Sequence, residues 1–185
     1  MGKVLILAEG PTEKYFVRDV LDPHLRPLGV ELVVTILTTK RVKSGPDFKG
    51  GMSNYTKVKR EILRLLGDSS AACVTTMFDY YGLPRDFPGR TGAAGATCYH
   101  RVATVEQQFA SDVSHRRFKP YLQLHEFEGL LFADPTRIAA RFAPGDSPEF
   151  QRCSLSLSRV RQSFETPEEI NDDPATCPNR RILSV

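Results

Sequence analysis

Five consecutive apolar residues, Val4-Leu5-Ile6-Leu7-Ala8, stop abruptly at Glu9-Gly10-Pro11-Thr12. An apolar run without alternation is what a strand covered on both faces requires, and such a strand belongs to a parallel sheet flanked by helices. The run is too short for a membrane span or a signal-peptide core, so the chain is expected in the cytoplasm with no membrane partner. Thr12 is placed to cap a helix in which Phe16, Val17, Val20 and Leu21 repeat at helical spacing, and Pro23 is expected to end or kink it. The chain thus opens as the first half of a βαβ unit.

The pattern then repeats. Glu31 to Leu37 is rich in Val, Ile and Thr and predicts a second strand. Thr38 to Ser53 has Gly45, Pro46, Gly50 and Gly51 and no apolar period, which predicts a long loop. Tyr55, Val58, Ile62, Leu65 and Leu66 mark one face of a helix, with Ser53 or Asn54 as its cap and Gly67 as its stop. Ala71 to Phe78 predicts a third strand, ending at Asp79, and Tyr80 to Gly95 a loop. Val102, Val105 and Phe109 predict a third helix, and Pro120 to Leu124 a fourth strand running into His125-Glu126-Phe127-Glu128-Gly129, where a helix is expected to begin. Ser147 to Phe164 is expected to be helical. Thr166 to Asn179 holds three prolines and is expected to be irregular, and Arg181 to Val185 is an apolar beginning with no element after it, as in a loose tail or a chain that continues. The expected division is an α/β domain over residues 1–144 and a partly helical extension over residues 145–185.

With 185 residues there is enough chain to bury a sizeable core, and 41% apolar with 25% charged residues excludes disordered and fibrous classes. The four cysteines are too widely spaced for a Cys-x-x-Cys or zinc grouping and are expected to be structural thiols. The net charge of +3 is unevenly spread: Lys40, Arg41, Lys43, Lys49, Lys57, Lys59, Arg60 and Arg64 face only Asp47 and Glu61 in their stretch. That stretch is either a solvated surface or a contact for a phosphate backbone. Glu165 to Asp173, with five acids and no base, argues against a polyanion there.

In an open α/β sheet, ligands bind outside the carboxyl ends of the strands. Glu9 ends the first strand, Asp79 the third, and His125 with Glu126 the fourth, so three strands deliver acids to one edge; Glu13, in the first turn of the helix, can lean toward it. Oxygen ligands of this kind suit Mg²⁺ or Mn²⁺, which takes a few carboxylates and completes its shell with water and substrate phosphate. The competing reading gives Glu9 to a helix start, Asp79 to a turn, and Glu126 and Glu128 to solvent. His125, between an apolar strand and two acids, is a candidate proton carrier, phosphate ligand or orienting group. No Gly-x-x-x-x-Gly-Lys phosphate loop is present.

The strand into Glu9-Gly10-Pro11-Thr12-Glu13 and the strand into Asp79 resemble the Toprim domain, in the branch of the overcoming-lysogenization-defect (OLD) nucleases. Phe78-Asp79-Tyr80-Tyr81-Gly82-Leu83-Pro84 and His125-Glu126-Phe127-Glu128-Gly129-Leu130-Leu131-Phe132 are similar to the DUF4276 family, usually placed with those proteins. The likeness spans roughly residues 1–135. It implies a four-stranded, mainly parallel Rossmann-like sheet flanked by helices and a metal-dependent nuclease (hydrolase) acting on DNA or RNA. The implied catalytic residues are Glu9 and Asp79, joined by His125 from its position after the fourth strand, and the metal ligands are Glu9, Asp79 and Glu13 with Glu126 and Glu128 as candidates, holding Mg²⁺ or Mn²⁺. Lys40, Arg41, Lys43, Lys57, Arg85 and Arg90 would meet the nucleic acid. A role in antiphage defence and a separate ATPase subunit as partner are further implications. Tyr81 stands where the Toprim pattern has its second aspartate, and Glu126 or Glu128 would have to replace that ligand. Two other readings stay open. One is a non-catalytic subunit that binds nucleic acid or a partner, which Tyr81 favours; the other is a receiver-like phosphotransfer protein with Asp79 as phosphoacceptor, against which stands the lack of a lysine after the fourth strand.

Overall fold

The computed structural model describes residues 2–40, 48–49, 52, 54–92, 97–170 and 177–185. Its contacts divide the chain into two units, Met1–Leu122 and Gln123–Val185. None of the helices among the described residues is long and apolar enough to cross a membrane.

The first unit runs β1 (Gly2–Ala8), α1 (Pro11–Phe16), α2 (Asp22–Leu25), β2 (Val30–Ile36), β3 (Thr38–Lys40), β4 (Phe48–Lys49), α3 (Tyr55–Leu66), β5 (Ala71–Asp79) and α4 (Cys98–Val113), and β6 (Leu122–Gln123) straddles the division. The sheet order is β2-β1-β5-β6, with β1 parallel to both neighbours. This is the expected four-stranded, mainly parallel sheet flanked by helices. Leu5 to Ala8 are buried as the unbroken apolar run requires. Val58, Ile62, Leu65 and Leu66 of α3, and Val102, Val105, Phe109 and Val113 of α4, turn their apolar faces inward.

The first helix departs from the expectation in two ways. Its N-cap is Gly10 rather than Thr12, and Glu13 Oε2 accepts the Gly10 N–H at 2.8 Å, the reciprocal half of a capping box. Pro23 does not end it. A π-helical turn over Val17–Leu21, in which Asp22 N–H bonds the Val17 carbonyl, displaces the backbone ahead of the proline. The helical path continues through a 3₁₀ turn at Arg26–Leu28 and stops at Gly29, whose φ of 79° is left-handed.

The stretch expected to be a loop between β2 and α3 carries, at its ends, the two short antiparallel strands β3 and β4. Residues 41–47, 50, 51 and 53 lie outside the described residues, Arg41 and Lys43 among them. Asn54 caps α3 by accepting the Lys57 N–H at 3.0 Å, and Gly67 follows its last turn. The fourth strand is shorter than the pattern predicts. Val74 exchanges ladder bonds with Arg117 and Lys119, but Pro120 has no N–H to continue them, and the Thr76 hydroxyl instead bonds both backbone groups of Tyr121. Glu106 of α4 accepts the next N–H, that of Leu122, at 2.8 Å. Arg117 donates to the carbonyls of Leu66, Asp68 and Ala71 at 2.6–2.7 Å and so satisfies the C-terminal end of α3.

In the second unit, a 3₁₀ turn over Phe127–Ala133, not an α-helix, leads into α5 (Pro135–Ala139), α6 (Pro148–Gln162), a short 3₁₀ turn at Pro167–Glu169 and α7 (Pro178–Leu183). The expected loose tail is therefore largely helix, begun by Pro178 at its first position. Asp134 caps α5 and Ser147 caps α6. Phe132, Ile138, Ala139, Leu157 and Ile170 form a small core, with Phe150, Val160, Phe164 and Ile182 packed on it.

Candidate active site

β1 and β5 are parallel neighbours with Ala8 opposite Met77, so Glu9 follows β1 level with Phe78 and Asp79 comes one residue further along the same carboxyl edge. Glu9 N–H bonds the Met77 carbonyl at 3.1 Å, and the Glu9 carboxylate accepts the backbone N–H of Asp79. The other Glu9 oxygen, Oε2, is buried and has no hydrogen-bond partner. Burial pushes the Glu9 carboxyl up from its ordinary range, the Asp79 N–H opposes the rise, and the negative charge of Glu13 adds to it.

Gly82 explains how the carboxylate is enclosed. Tyr80–Gly82 form a 3₁₀ turn directly after Asp79, and a Cβ on Gly82 would lie 3.0 Å from both Glu9 oxygens. A side chain at this position would push the Glu9 carboxylate out of place as the turn closes over it. The same turn buries Tyr80, whose hydroxyl accepts a bond from Arg90 Nη1 at 3.0 Å while the guanidinium lies 4.5 Å from the ring centroid. Gly89, at φ 78°, brings this loop against α4, where a Cβ would meet Gln108 and the Val105 Cα at 3.0–3.2 Å. Arg90 is thereby fixed against Tyr80, the residue after Asp79, and Arg85 is exposed nearby in sequence.

Glu13 is buried, with one oxygen committed to the Gly10 N–H. Lys57 lies in the first turn of α3, an element whose first N–H is held by Asp86 of the loop after β5. The first unit holds 18 Lys and Arg against 12 Asp and Glu, the second 7 against 10, so the positive excess that a polyanion would meet belongs to the first unit.

His125, Glu126 and Glu128 belong to the second unit. His125 is buried and Glu128 is half-buried in the 3₁₀ turn. Glu126 accepts bonds from the Cys177 thiol and the Asn179 N–H, at the start of α7. Its Oε2 has no hydrogen-bond partner, and burial, with the Glu128 charge, pushes its carboxyl up. A Cβ on Gly129 would lie 3.1 Å from the Pro167 carbonyl, and Phe132 is wholly enclosed. Much of the His125–Phe132 string is thus accounted for by packing within this unit.

Among the described residues, no three or more His, Cys, Asp or Glu side chains are grouped to hold a metal ion. What the first unit presents is smaller: a buried carboxylate oxygen without a partner on Glu9, whose other oxygen is held by the Asp79 backbone. That donor set fits a hard cation taking one or two carboxylates and completed by water and phosphate oxygens. Sequence reasoning missed Gly82 and the Tyr80–Arg90 pair; the glycine three residues after Asp79 was the available signal.

The profile of a family described as "Domain of unknown function (DUF4276)" matches residues 8–185. No curated protein and no solved structure matches the chain.

Proposed function

From the membership of this chain in the DUF4276 family and the geometry of its sheet edge, we propose that it is a metal-dependent hydrolase of phosphodiester bonds in DNA or RNA. The observation that carries the reading is the Glu9 carboxylate, enclosed under Gly82, bonded to the Asp79 backbone and left with one buried oxygen unpartnered. Mg²⁺ or Mn²⁺, when bound by Asp79 and Glu9, supplies charge neutralisation at the phosphate and an acidified water.

The chain's own residues divide the remaining work. Glu9 Oε2, the buried oxygen without a partner, is the second ligand, and the attacking water gives up its proton to solvent. Asp79 is the principal ligand. Arg90, held against Tyr80, and the exposed Arg85 meet substrate phosphates, while Lys57 extends the basic surface. His125, Glu126 and Glu128 carry no step in this proposal.

Incubating the purified chain with plasmid, linear DNA and structured RNA over Mg²⁺ and Mn²⁺ tests it: cleavage that depends on metal, Glu9 and Asp79 supports the reading, and its absence on every substrate defeats it. Tyr81 in place of a second acid favours one other reading, a non-hydrolytic subunit that binds nucleic acid equally well with or without metal.

A further inference from the structure

The second unit carries an apolar groove that its own core does not use. Leu130, Leu131, Ile138, Phe142 and Ile182 line an open cavity of about 460 Å³ between the 3₁₀ turn, α5 and α7. A second cavity of about 580 Å³, lined by Phe142, Cys153 and Val185 among others, continues from it, with Phe142 as the shared wall. Leu131 and Phe142, 48% and 51% exposed, share the wall of the first cavity and so form a patch rather than scattered single residues. Nothing in the proposed hydrolysis uses this surface.

The rim fixes the chemistry of the occupant. Arg137 and Arg141 flank the first cavity and Arg152 the second. The acids beside them are already engaged: Asp134 accepts the Thr136 and Arg137 N–H groups as the cap of α5 and pairs with Arg137, and Glu149 pairs with Arg152. Arg141 is exposed with no ion-pair partner among the described residues, and the Arg137 side chain is 89% exposed despite its contact. The groove therefore offers positive charge outward within a unit whose net charge is −3. Its walls are helical and present no strand edge, so a segment lying in it has to satisfy its own backbone hydrogen bonds, as a helix does.

We infer that this groove receives an amphipathic helix of a partner protein, apolar on one stripe and acidic on its flanks. Leu131 and Phe142 are the anchors that fill with contact, and Arg141 reads the flanking acid.

The test uses the full chain and a displayed library of helical peptides of about 14 residues with a fixed leucine stripe and randomised flanks. Selection is expected to enrich glutamate and aspartate on the flanks. Binding of a selected peptide is expected to weaken about tenfold or more on Phe142→Ser, Leu131→Ser or Arg141→Glu, and to weaken with salt. Because these three side chains are exposed, unchanged thermal melts will separate lost contact from lost folding. Enrichment of basic or uncharged flanks, selected peptides indifferent to all three substitutions, or no enrichment overturns the inference. So does a dimer in sedimentation that Phe142→Ser dissociates, since the occupant is then a second copy.

Discussion

Replacing Glu9 by glutamine removes a charge and leaves the side-chain shape intact, so its effect on stability isolates what the enclosure under Gly82 costs. One Glu9 oxygen is satisfied by the Asp79 N–H, which a glutamine carbonyl can also accept, at the loss of the charge-assisted part of that bond. The other is buried and unpartnered. A buried unsatisfied polar group costs about 1–3 kcal/mol, more when charged; the glutamine NH₂ left in that place is still unpartnered, so only the excess due to charge is relieved, and Glu9→Gln is expected to stabilise the metal-free protein by about 1 kcal/mol at neutral pH. In a chain of this length that raises the melting temperature by about 2–4 °C.

The sign of the pH dependence follows from the raised folded-state proton affinity. The folded protein binds the proton more tightly than the unfolded chain. The wild type therefore loses stability as pH rises from the ordinary carboxylate range through the raised folded value, and carries the whole penalty above it. The advantage of Glu9→Gln should be widest near pH 8 and close toward pH 4. Divalent metal reverses the order: at ten times its dissociation constant it adds about 1.4 kcal/mol to the wild type and little to the variant. Thermal and urea unfolding of both proteins at pH 4, 6 and 8, with and without Mg²⁺, reads all of this. A variant less stable than wild type at pH 8, or a difference that does not change with pH, refutes the reasoning.

Gly82→Ala places a methyl 3.0 Å from both Glu9 oxygens and is expected to cost about 1–3 kcal/mol and most of the metal-dependent cleavage, measured by melts and a nuclease assay. Arg117→Ala strips three carbonyls of their donor and should destabilise by about 2–4 kcal/mol in urea unfolding, with Arg117→Lys recovering only part, since lysine lacks the fork. Glu126→Gln keeps an acceptor for Cys177 and Asn179 and should retain both stability and cleavage, whereas Glu126→Ala should lower stability; loss of cleavage in a well-folded Glu126→Gln would instead make Glu126 a ligand.

The strands that carry Glu9 and Asp79 were legible because an unbroken apolar run that stops at an acid suits a buried strand ending at the sheet edge, and both acids do emerge on one edge. The faces of α3 and α4 were legible from their 3.6-residue period. What escaped were features set by backbone bonding partners. The π turn at Val17–Leu21 lets the helix pass Pro23, and Glu13 is tied up by the Gly10 N–H although its position also suits a ligand. The strand at Pro120–Leu124 is cut short because Thr76 and Glu106, distant in sequence, supply bonds that an edge ladder would have made. At Glu126 the Cys177 and Asn179 donors that hold one side of the carboxylate lie some fifty residues along the chain, where spacing carries no signal.

The most direct measurement of the central claim is the rate of phosphodiester cleavage by wild type, Glu9→Gln and Asp79→Asn across one Mg²⁺ titration, on DNA and RNA in parallel. Expected are a metal-dependent rate on at least one polymer, a fall of about 10²-fold or more in each variant at saturating metal, and a shift of the metal requirement to higher concentration in both. Cleavage by both variants at near wild-type rates under limiting Mg²⁺, or no metal-dependent cleavage by the wild type on either polymer, would contradict it.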